Sequence, residues 1–252
     1  METNAIIILV AVFFFTSMIG VVTGSNSLIA VPVMFQLGID PKTAVATNMF
    51  ALVFMSIGGT IPFVRQRKID YAKISPLIIL TLVSSAIGAL FVGLISGPGI
   101  KLIVTIAMIA VATFTILRRN AGVGLEPSPV KHAIFITYVL TFLLGIYGGL
   151  FSGGYTTILT AVCVGIFGMQ YTEAIASTKL INVFSSLVAT AIFMWQGLVD
   201  YKLGLILGAT MFAGAYVGAH YTTKINDVWL RRIFLSTVFL LALKTLYDFI
   251  LT

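Results

Sequence analysis

Charged residues are scarce in this chain of 252 residues: they make up 9% of it, whereas soluble domains carry about 25%. Hydrophobic residues make up 59%, and the mean hydropathy is +1.10. A soluble domain of this length has too little interior to bury so much apolar surface. These values exclude soluble enzymes and nucleic-acid-binding modules. They predict an all-α polytopic membrane protein that is surrounded by a lipid bilayer.

Cysteine and histidine are also rare. The one cysteine, Cys163, excludes an intramolecular disulfide, and no cluster with His132 or His220 indicates a metal site. No cofactor is predicted. Because most of the 15 Lys and Arg residues lie in short loops, we read the net charge of +7 as a sign of membrane topology and predict no nucleic-acid partner.

Uncharged stretches of sequence predict ten membrane segments, since a crossing helix needs about 20 apolar residues. The segments are 5–22, 27–37, 43–64, 74–95, 100–117, 132–150, 155–168, 173–196, 203–222 and 231–250. Two uncharged stretches, 3–39 and 132–172, are too long for one crossing and are interrupted by small and polar residues at 23–27 and 148–154. Irregular backbone within a bilayer must be buried in protein or line a polar cavity.

The chain contains an internal repeat. An ungapped offset of 130 residues aligns Gly24 with Gly154, the tetrapeptide AVAT at 44–47 with AIAS at 174–177, and Asp70-Tyr71 with Asp200-Tyr201. Duplication at this period predicts two repeats of about five helices. We assign residues 1–120 to the first repeat, 121–131 to a cytoplasmic linker and 132–252 to the second repeat.

Basic residues indicate that the two repeats have opposite orientations in the membrane. The loop at 65–73 and the loop at 118–131 are basic in the first half, whereas the basic loop of the second half is at 224–232 and not at the equivalent 200–202. By the positive-inside rule this predicts inverted topology, with broken or short helices meeting near the midplane and both termini outside. The alternative is a parallel repeat with four crossings in each half.

The two breaks predict a binding site. In inverted-repeat membrane proteins, ligand sites lie where broken helices meet, and helix N-termini face anionic groups. Glycines allow the backbone to approach a ligand, while hydroxyl and amide side chains at a helix start supply donors. The predicted residues at the breaks are Gly24, Ser25, Asn26, Ser27, Gly153, Gly154, Thr156 and Thr157. The alternative is that these small residues serve tight helix packing.

Lys179 lies about two turns inside the eighth predicted segment, on the same helical face as Asn182. On the equivalent helix of the first repeat, Asn48 is next to Met49, the counterpart of Lys179. Ionisable side chains inside a membrane are costly and usually functional. We therefore predict that Lys179, Asn48 and Asn182 complete an anion site. The alternative for Lys179 is a side chain that extends to the membrane surface.

The Gly-containing break leading to Ala30-Val31-Pro32 and then to residues 37–48 (LGIDPKTAVATN) resembles the signature of the sulfite exporter TauE/SafE family. A second copy follows at 168–178, and the Asp70-Tyr71 loop and Gly88-Ala89 fit the same pattern. The resemblance covers essentially the whole chain. It implies a bacterial inner-membrane transporter that moves small sulfur-containing anions outward, such as sulfite or organosulfonates like sulfoacetate.

Other functions stay open at this point. An uptake permease would use the same site in the opposite direction, and an anion channel would show currents without counterflow. An intramembrane hydrolase would need a nucleophile such as Ser152 beside a base, and no histidine is placed near it by the sequence. A purely structural or receptor role and the formation of homo-oligomers are also left open.

Overall fold

A computed structural model describes residues 3–24, 26–65, 69–117 and 132–221. All regular secondary structure in these residues is helical. The helices are α1 (Thr3–Thr23), α2 (Ser27–Gln36), α3 (Pro41–Arg65), α4 (Tyr71–Leu94), α5 (Gly97–Leu117), α6 (Ala133–Leu150), α7 (Tyr155–Gly165), α8 (Tyr171–Trp195) and α9 (Tyr201–Tyr221). All except α2 and α7, that is seven, are long and apolar enough to cross a membrane. The prediction of an all-α polytopic membrane protein is confirmed.

Each of the first nine predicted segments corresponds to a helix. The predicted segment 231–250, the linker 121–131, the loop 224–232 and both chain termini lie outside the described residues. The prediction for the seventh segment was wrong at its end, because α7 stops at Gly165 and not at 168. The chain turns there through Gly168, which has a φ of 72°, and the amide of Met169 donates to the carbonyl of Cys163.

Neighbouring helices run in two directions. Helices α1, α3 and α9 are parallel to one another. On α9, Gly204 contacts Phe50 of α3, and one turn later Gly208 contacts Phe54. Helices α4, α6 and α8 are also parallel to one another. Ser85 of α4 contacts Ser185 of α8, and further along both helices Gly93 lies against Gln196.

The central pair, α3 and α8, is antiparallel. The side-chain amide of Asn182 donates to Ser56 Oγ at 2.7 Å, whereas the backbone N–H of Asp200 donates to Thr47 Oγ1 at 3.0 Å. Residue numbers on α3 therefore fall as those on the α8 side of the contact rise. Because α3 and α8 are counterparts under the 130-residue offset, this is the relative direction that an inverted repeat requires. The inverted repeat itself stays a prediction.

The outer surface of the helices is apolar. Large exposed side chains include Ile79, Leu94, Phe135 and Leu143. In water such a surface would drive aggregation, but against lipid tails it is matched to its surroundings. Polar side chains such as Asn26, Asn48 and Lys179 are instead buried between the helices.

Candidate binding site between the broken helices

The first break separates α1 from the short helix α2. Gly24 ends α1 with a φ of 75°, and its amide donates to the carbonyl of Gly20 at 2.7 Å. The carbonyl of Asn26 then accepts from the amides of Ile29 and Ala30 to start α2. With ten residues, α2 is about 15 Å long, or half the hydrocarbon thickness. Its N-terminus therefore lies within the membrane.

The second break separates α6 from the short helix α7. Phe151 is extended, and Gly154 takes a φ of 79° directly before α7. The hydroxyl of Tyr147, on the last turn of α6, donates to the carbonyl of Gly153. The loop between the two helices is thus anchored to the helix that precedes it.

The two breaks contact each other. Thr156 Oγ1 donates to the carbonyl of Gly24 at 2.8 Å, and Ser27 Oγ lies 2.8 Å from Ser152 Oγ. A Cβ atom at Gly24 would collide with Thr156 Oγ1 and lie 2.9 Å from the amide nitrogen of Thr157. Glycine at position 24 is therefore required for the close approach as well as for the backbone angle.

A small cavity lies where the breaks meet α3 and α8. Its lining residues are Gly20, Val21, Gly24, Asn26, Ser27, Leu52, Met55, Ser56, Ser152, Thr156, Lys179 and Asn182. The cavity volume is about 20 Å³, which is room for about one water molecule. An anion larger than water requires some of these side chains to move.

Lys179 supplies the positive charge of the cavity. The side chain is 5% exposed, and its ammonium donates to the carbonyl of Gly20 at 3.2 Å. The Nζ atom therefore lies inside the protein at the cavity and does not extend to the membrane surface. No Asp or Glu is among the lining residues in the described part of the chain. The ammonium is thus held by a neutral oxygen, which leaves it available to a negative ligand.

Amide and hydroxyl groups line the same cavity as the ammonium. Asn26 donates to Ser17 Oγ at 2.9 Å, while its side-chain oxygen is buried without a partner among the described residues. A half-turn of that amide about its last torsion would bring its NH₂ group where the oxygen now lies. The cavity therefore offers a cation and neutral donors, which suits an anion better than a metal cation.

Most residues predicted from the sequence meet at this cavity. Gly24, Asn26, Ser27, Thr156, Lys179 and Asn182 line it. Asn48 lies behind Ser27 and donates to its hydroxyl at 2.9 Å.

Three predicted residues lie away from the cavity. Thr157 contacts Gly24, Gly153 faces Phe151 and Leu28, and Gly154 faces Val111, so these three do not line the cavity. Ser25 lies outside the described residues.

Sequence reasoning missed six of the lining residues, namely Gly20, Val21, Leu52, Met55, Ser56 and Ser152. Ser56 aligns with Ser186 in the repeat, which gave a signal that it could matter. Ser152 was weighed only as a nucleophile, because its contact with Ser27 joins residues 125 positions apart and no pattern in the sequence reports such a contact.

The chain matches the model of the sulfite exporter TauE/SafE family over residues 9–245. It belongs to this family. The resemblance drawn from the break and from residues 37–48 is thereby confirmed.

Several similar proteins align with nearly the whole chain. It is 28% identical to "Probable membrane transporter protein ORF9" of Sinorhizobium sp, over 93% of this chain and 90% of that protein. It is 26% identical to a "Probable membrane transporter protein" of Haemophilus influenzae, over 96% of this chain and 94% of that protein. It is 25% identical to "Probable membrane transporter protein YfcA" of Escherichia coli, over 96% of this chain and 91% of that protein. No solved structure matches the chain.

The TauE/SafE family and these relatives are membrane transporters and not enzymes, and the chain is therefore a multi-pass membrane transporter. The intramembrane hydrolase alternative is set aside on this ground. The hydrogen-bond partner of Ser152 agrees with that result, since it is the hydroxyl of Ser27 and not a histidine.

The contact between the breaks gives a testable prediction for this TauE/SafE member. Thr156→Val keeps the shape of the side chain but removes the donor to Gly24, so we expect the free energy of unfolding to fall by about 1 kcal/mol. The matched control is Thr210→Val, because Thr210 Oγ1 donates to the carbonyl of Ile206 within its own helix. Thermal unfolding in detergent measures both. Equal stability of the two variants would mean that the bond between the breaks contributes no more than a bond within one helix.

Proposed function

We propose that the protein is a secondary transporter for small sulfur-containing anions, sulfite or organosulfonates such as sulfoacetate, which exports them across the bacterial inner membrane by alternating access. The observation that carries the proposal is the buried ammonium of Lys179, between two broken helices, with a backbone carbonyl as its partner. The family description, sulfite exporter, supports the substrate class.

The electrostatics of the cavity favour an anion. A buried charge without a partner of opposite sign is unfavourable, and a bound anion would remove that cost. Ser27 is the first residue of α2 and Thr156 the second residue of α7, so the positive ends of two helix dipoles also lie at the cavity. Asn26, Ser56 and Asn182 can donate hydrogen bonds to several oxygens of one small anion.

The helix directions support the inverted repeat on which alternating access rests. Counterpart helices α3 and α8 are antiparallel, and broken helices from both halves contribute to one cavity. In transporters of this kind, one repeat rocks against the other around a fixed central site.

The two ends of the α3–α8 pair are in different states. At one end Thr47 Oγ1 accepts the backbone N–H of Asp200. At the equivalent position of the other repeat, the hydroxyl of Ser177 is buried without a partner among the described residues, although Asp70 is the counterpart of Asp200. An exchange of these two arrangements would close one side and open the other, which supports alternating access.

The membrane potential supports export. With the basic loops inside and both termini outside, the anion would leave down an inside-negative potential, which favours efflux by about 2.3 kcal/mol per charge per 100 mV. An anion exporter therefore needs no coupling ion. Accumulation of the same anions through the same site, against this potential, would require one.

The first test is thermal stability of the detergent-purified protein in sulfite, thiosulfate, sulfate, sulfoacetate, taurine and simple carboxylates. A ligand that binds only the folded state stabilises it by about 2.7 kcal/mol at a hundredfold excess over Kd. We expect a selective rise in Tm with sulfite or the organosulfonates. Equal shifts with all anions, or a rise only with carboxylates, would contradict the substrate class.

A further inference from the structure

A second group of buried polar side chains lies outside the cavity, between α4, α6 and α8. We call it the hydroxyl seam. Its members are Thr81, Ser84, Ser85, Thr137, Thr141 and Ser185, all of which are at most 1% exposed. None of them lines the cavity in the described part of the chain.

The seam is continuous across the helices. Ser85 Oγ lies 2.7 Å from Ser185 Oγ and 3.1 Å from the carbonyl of Gly145. A Cβ atom added to Gly145 would collide with Ser84 Oγ, so the two helices touch here. Thr141 is one turn before Gly145 on the same buried stripe of α6, and it therefore faces the same contact with α4.

The seam begins beside the cavity at two points. Ser185 follows Asn182, a lining residue, by one turn of α8. Tyr155 directly precedes Thr156, another lining residue, and its hydroxyl lies 3.5 Å from Thr81 Oγ1. Polar groups of the seam thus lie within one helical turn of residues that line the cavity.

Two hydroxyls of the seam have no hydrogen-bond partner in the part of the chain that the structure describes. Other threonines of this protein donate to the carbonyl four residues earlier, as Thr16, Thr60 and Thr210 do. The hydroxyls of Thr137 and Thr141 are buried and lack a partner among the described residues. A buried hydroxyl that forms no hydrogen bond is costly within a membrane. Such a hydroxyl is tolerated where water or a ligand reaches it in another conformational state of the protein.

The equivalent contact of α9 with α1 and α3 shows that the fold does not require these hydroxyls. The counterparts of Thr81, Ser84 and Ser85 on α9 are Met211, Gly214 and Ala215. Met211 and Ala215 are fully buried where α9 packs, and Met55, the counterpart of Ser185, is 5% exposed. At these positions the hydroxyls of α4 and α8 are thus replaced by methionine, glycine and alanine in the equivalent helix contact.

The seam leads towards one side of the membrane. α4, α6 and α8 begin on the same side, which is where α3 ends at Arg65 and the basic loop follows. Ser85 and Ser185 lie 14 residues into their helices, whereas Thr137 lies four residues after the start of α6. The hydroxyls therefore extend from the depth of the cavity almost to the basic-loop surface.

We propose that the hydroxyl seam is the passage through which the anion moves between the cavity and the basic-loop side of the membrane. The proposal rests on the proposed function. Hydroxyls donate hydrogen bonds to an anion along the way, and the passage forms when α4 and α6 separate. The competing explanation is that the hydroxyls only join the helices, as small polar residues do in many membrane proteins.

Cysteine accessibility in proteoliposomes distinguishes the two explanations. Cys163→Ala removes the one cysteine of the chain, and Ser85→Cys is then compared with Ala215→Cys, its fully buried counterpart. A second pair is Thr81→Cys and Met211→Cys. We expect a charged, membrane-impermeant thiol reagent, added on the basic-loop side, to modify the seam cysteines at least tenfold faster than their counterparts and to stop transport.

Equal and slow modification within both pairs, in protein that still transports, would overturn the passage. Failure of the proposed function can be told apart from failure of the passage, because the labelling of the cysteines does not depend on which substrate is transported. Fast labelling of Ser85→Cys in a protein that moves no sulfur anion would leave the passage standing and reject the substrate class.

Discussion

Lys179→Met is expected to weaken the binding of sulfite or organosulfonates by roughly 10- to 150-fold, which corresponds to the loss of one charge-assisted hydrogen bond worth about 1.5–3 kcal/mol. The substitution removes the one positive charge of the cavity in the described part of the chain. Folding should be preserved, since the carbonyl of Gly20 keeps its bond from the amide of Gly24 and a buried charge is replaced by an apolar chain of similar length. A titration of Tm with ligand measures the affinity.

The matched control for this prediction is Lys202→Met. Lys202 is an exposed residue at the start of α9, so its replacement removes the same charge without touching the cavity. Affinity should not change in this variant. Wild-type affinity in Lys179→Met would exclude the ammonium from the site and leave the breaks as a packing feature.

Gly24→Ala is expected to lower the free energy of unfolding by about 2–5 kcal/mol and to abolish transport. A residue with a Cβ atom costs about 1–2 kcal/mol at a left-handed φ, and overpacking costs about 1–3 kcal/mol more. The added Cβ would lie 2.9 Å from the amide nitrogen of Thr157 and would also collide with Thr156 Oγ1. The two breaks could then no longer approach each other.

Gly38→Ala separates the two contributions. Gly38 has a φ of 77°, close to the 75° of Gly24, but a Cβ atom there would meet nothing within 4 Å. We expect a loss of only about 1–2 kcal/mol and retained transport. Chemical denaturation in detergent gives the stabilities. If both variants lose the same stability and keep transport, close contact between the breaks is not required.

The helices could be predicted because a helix that crosses a membrane needs about 20 apolar residues, and stretches without charged residues show where such helices lie. The breaks were predictable for the same reason, since stretches 3–39 and 132–172 are too long for single helices. The end of α7 was missed because residues 166–168 are uncharged and apolar, and only the backbone turn at Gly168 stops the helix.

The site was predictable where the chemistry of one residue is unusual in a membrane. Lys179 and Asn182 were found in this way, and the repeat drew attention to Asn48. Contacts between the halves were not predictable, because partners such as Ser27 and Ser152 lie 125 residues apart. For that reason the sequence did not place Gly20 beside Lys179, and it did not show that Gly153 and Gly154 face the packed interior.

Counterflow in proteoliposomes tests the central claim most directly, namely that an anion is carried through a site at Lys179. Vesicles loaded with unlabelled sulfite or sulfoacetate are placed in a trace of the labelled anion, and its entry is followed in the wild type, Lys179→Met and Lys202→Met. The account predicts saturable, trans-stimulated entry in the wild type and Lys202→Met and its loss in Lys179→Met. Equal entry in all three proteins, or flux that trans anion does not stimulate, would contradict it.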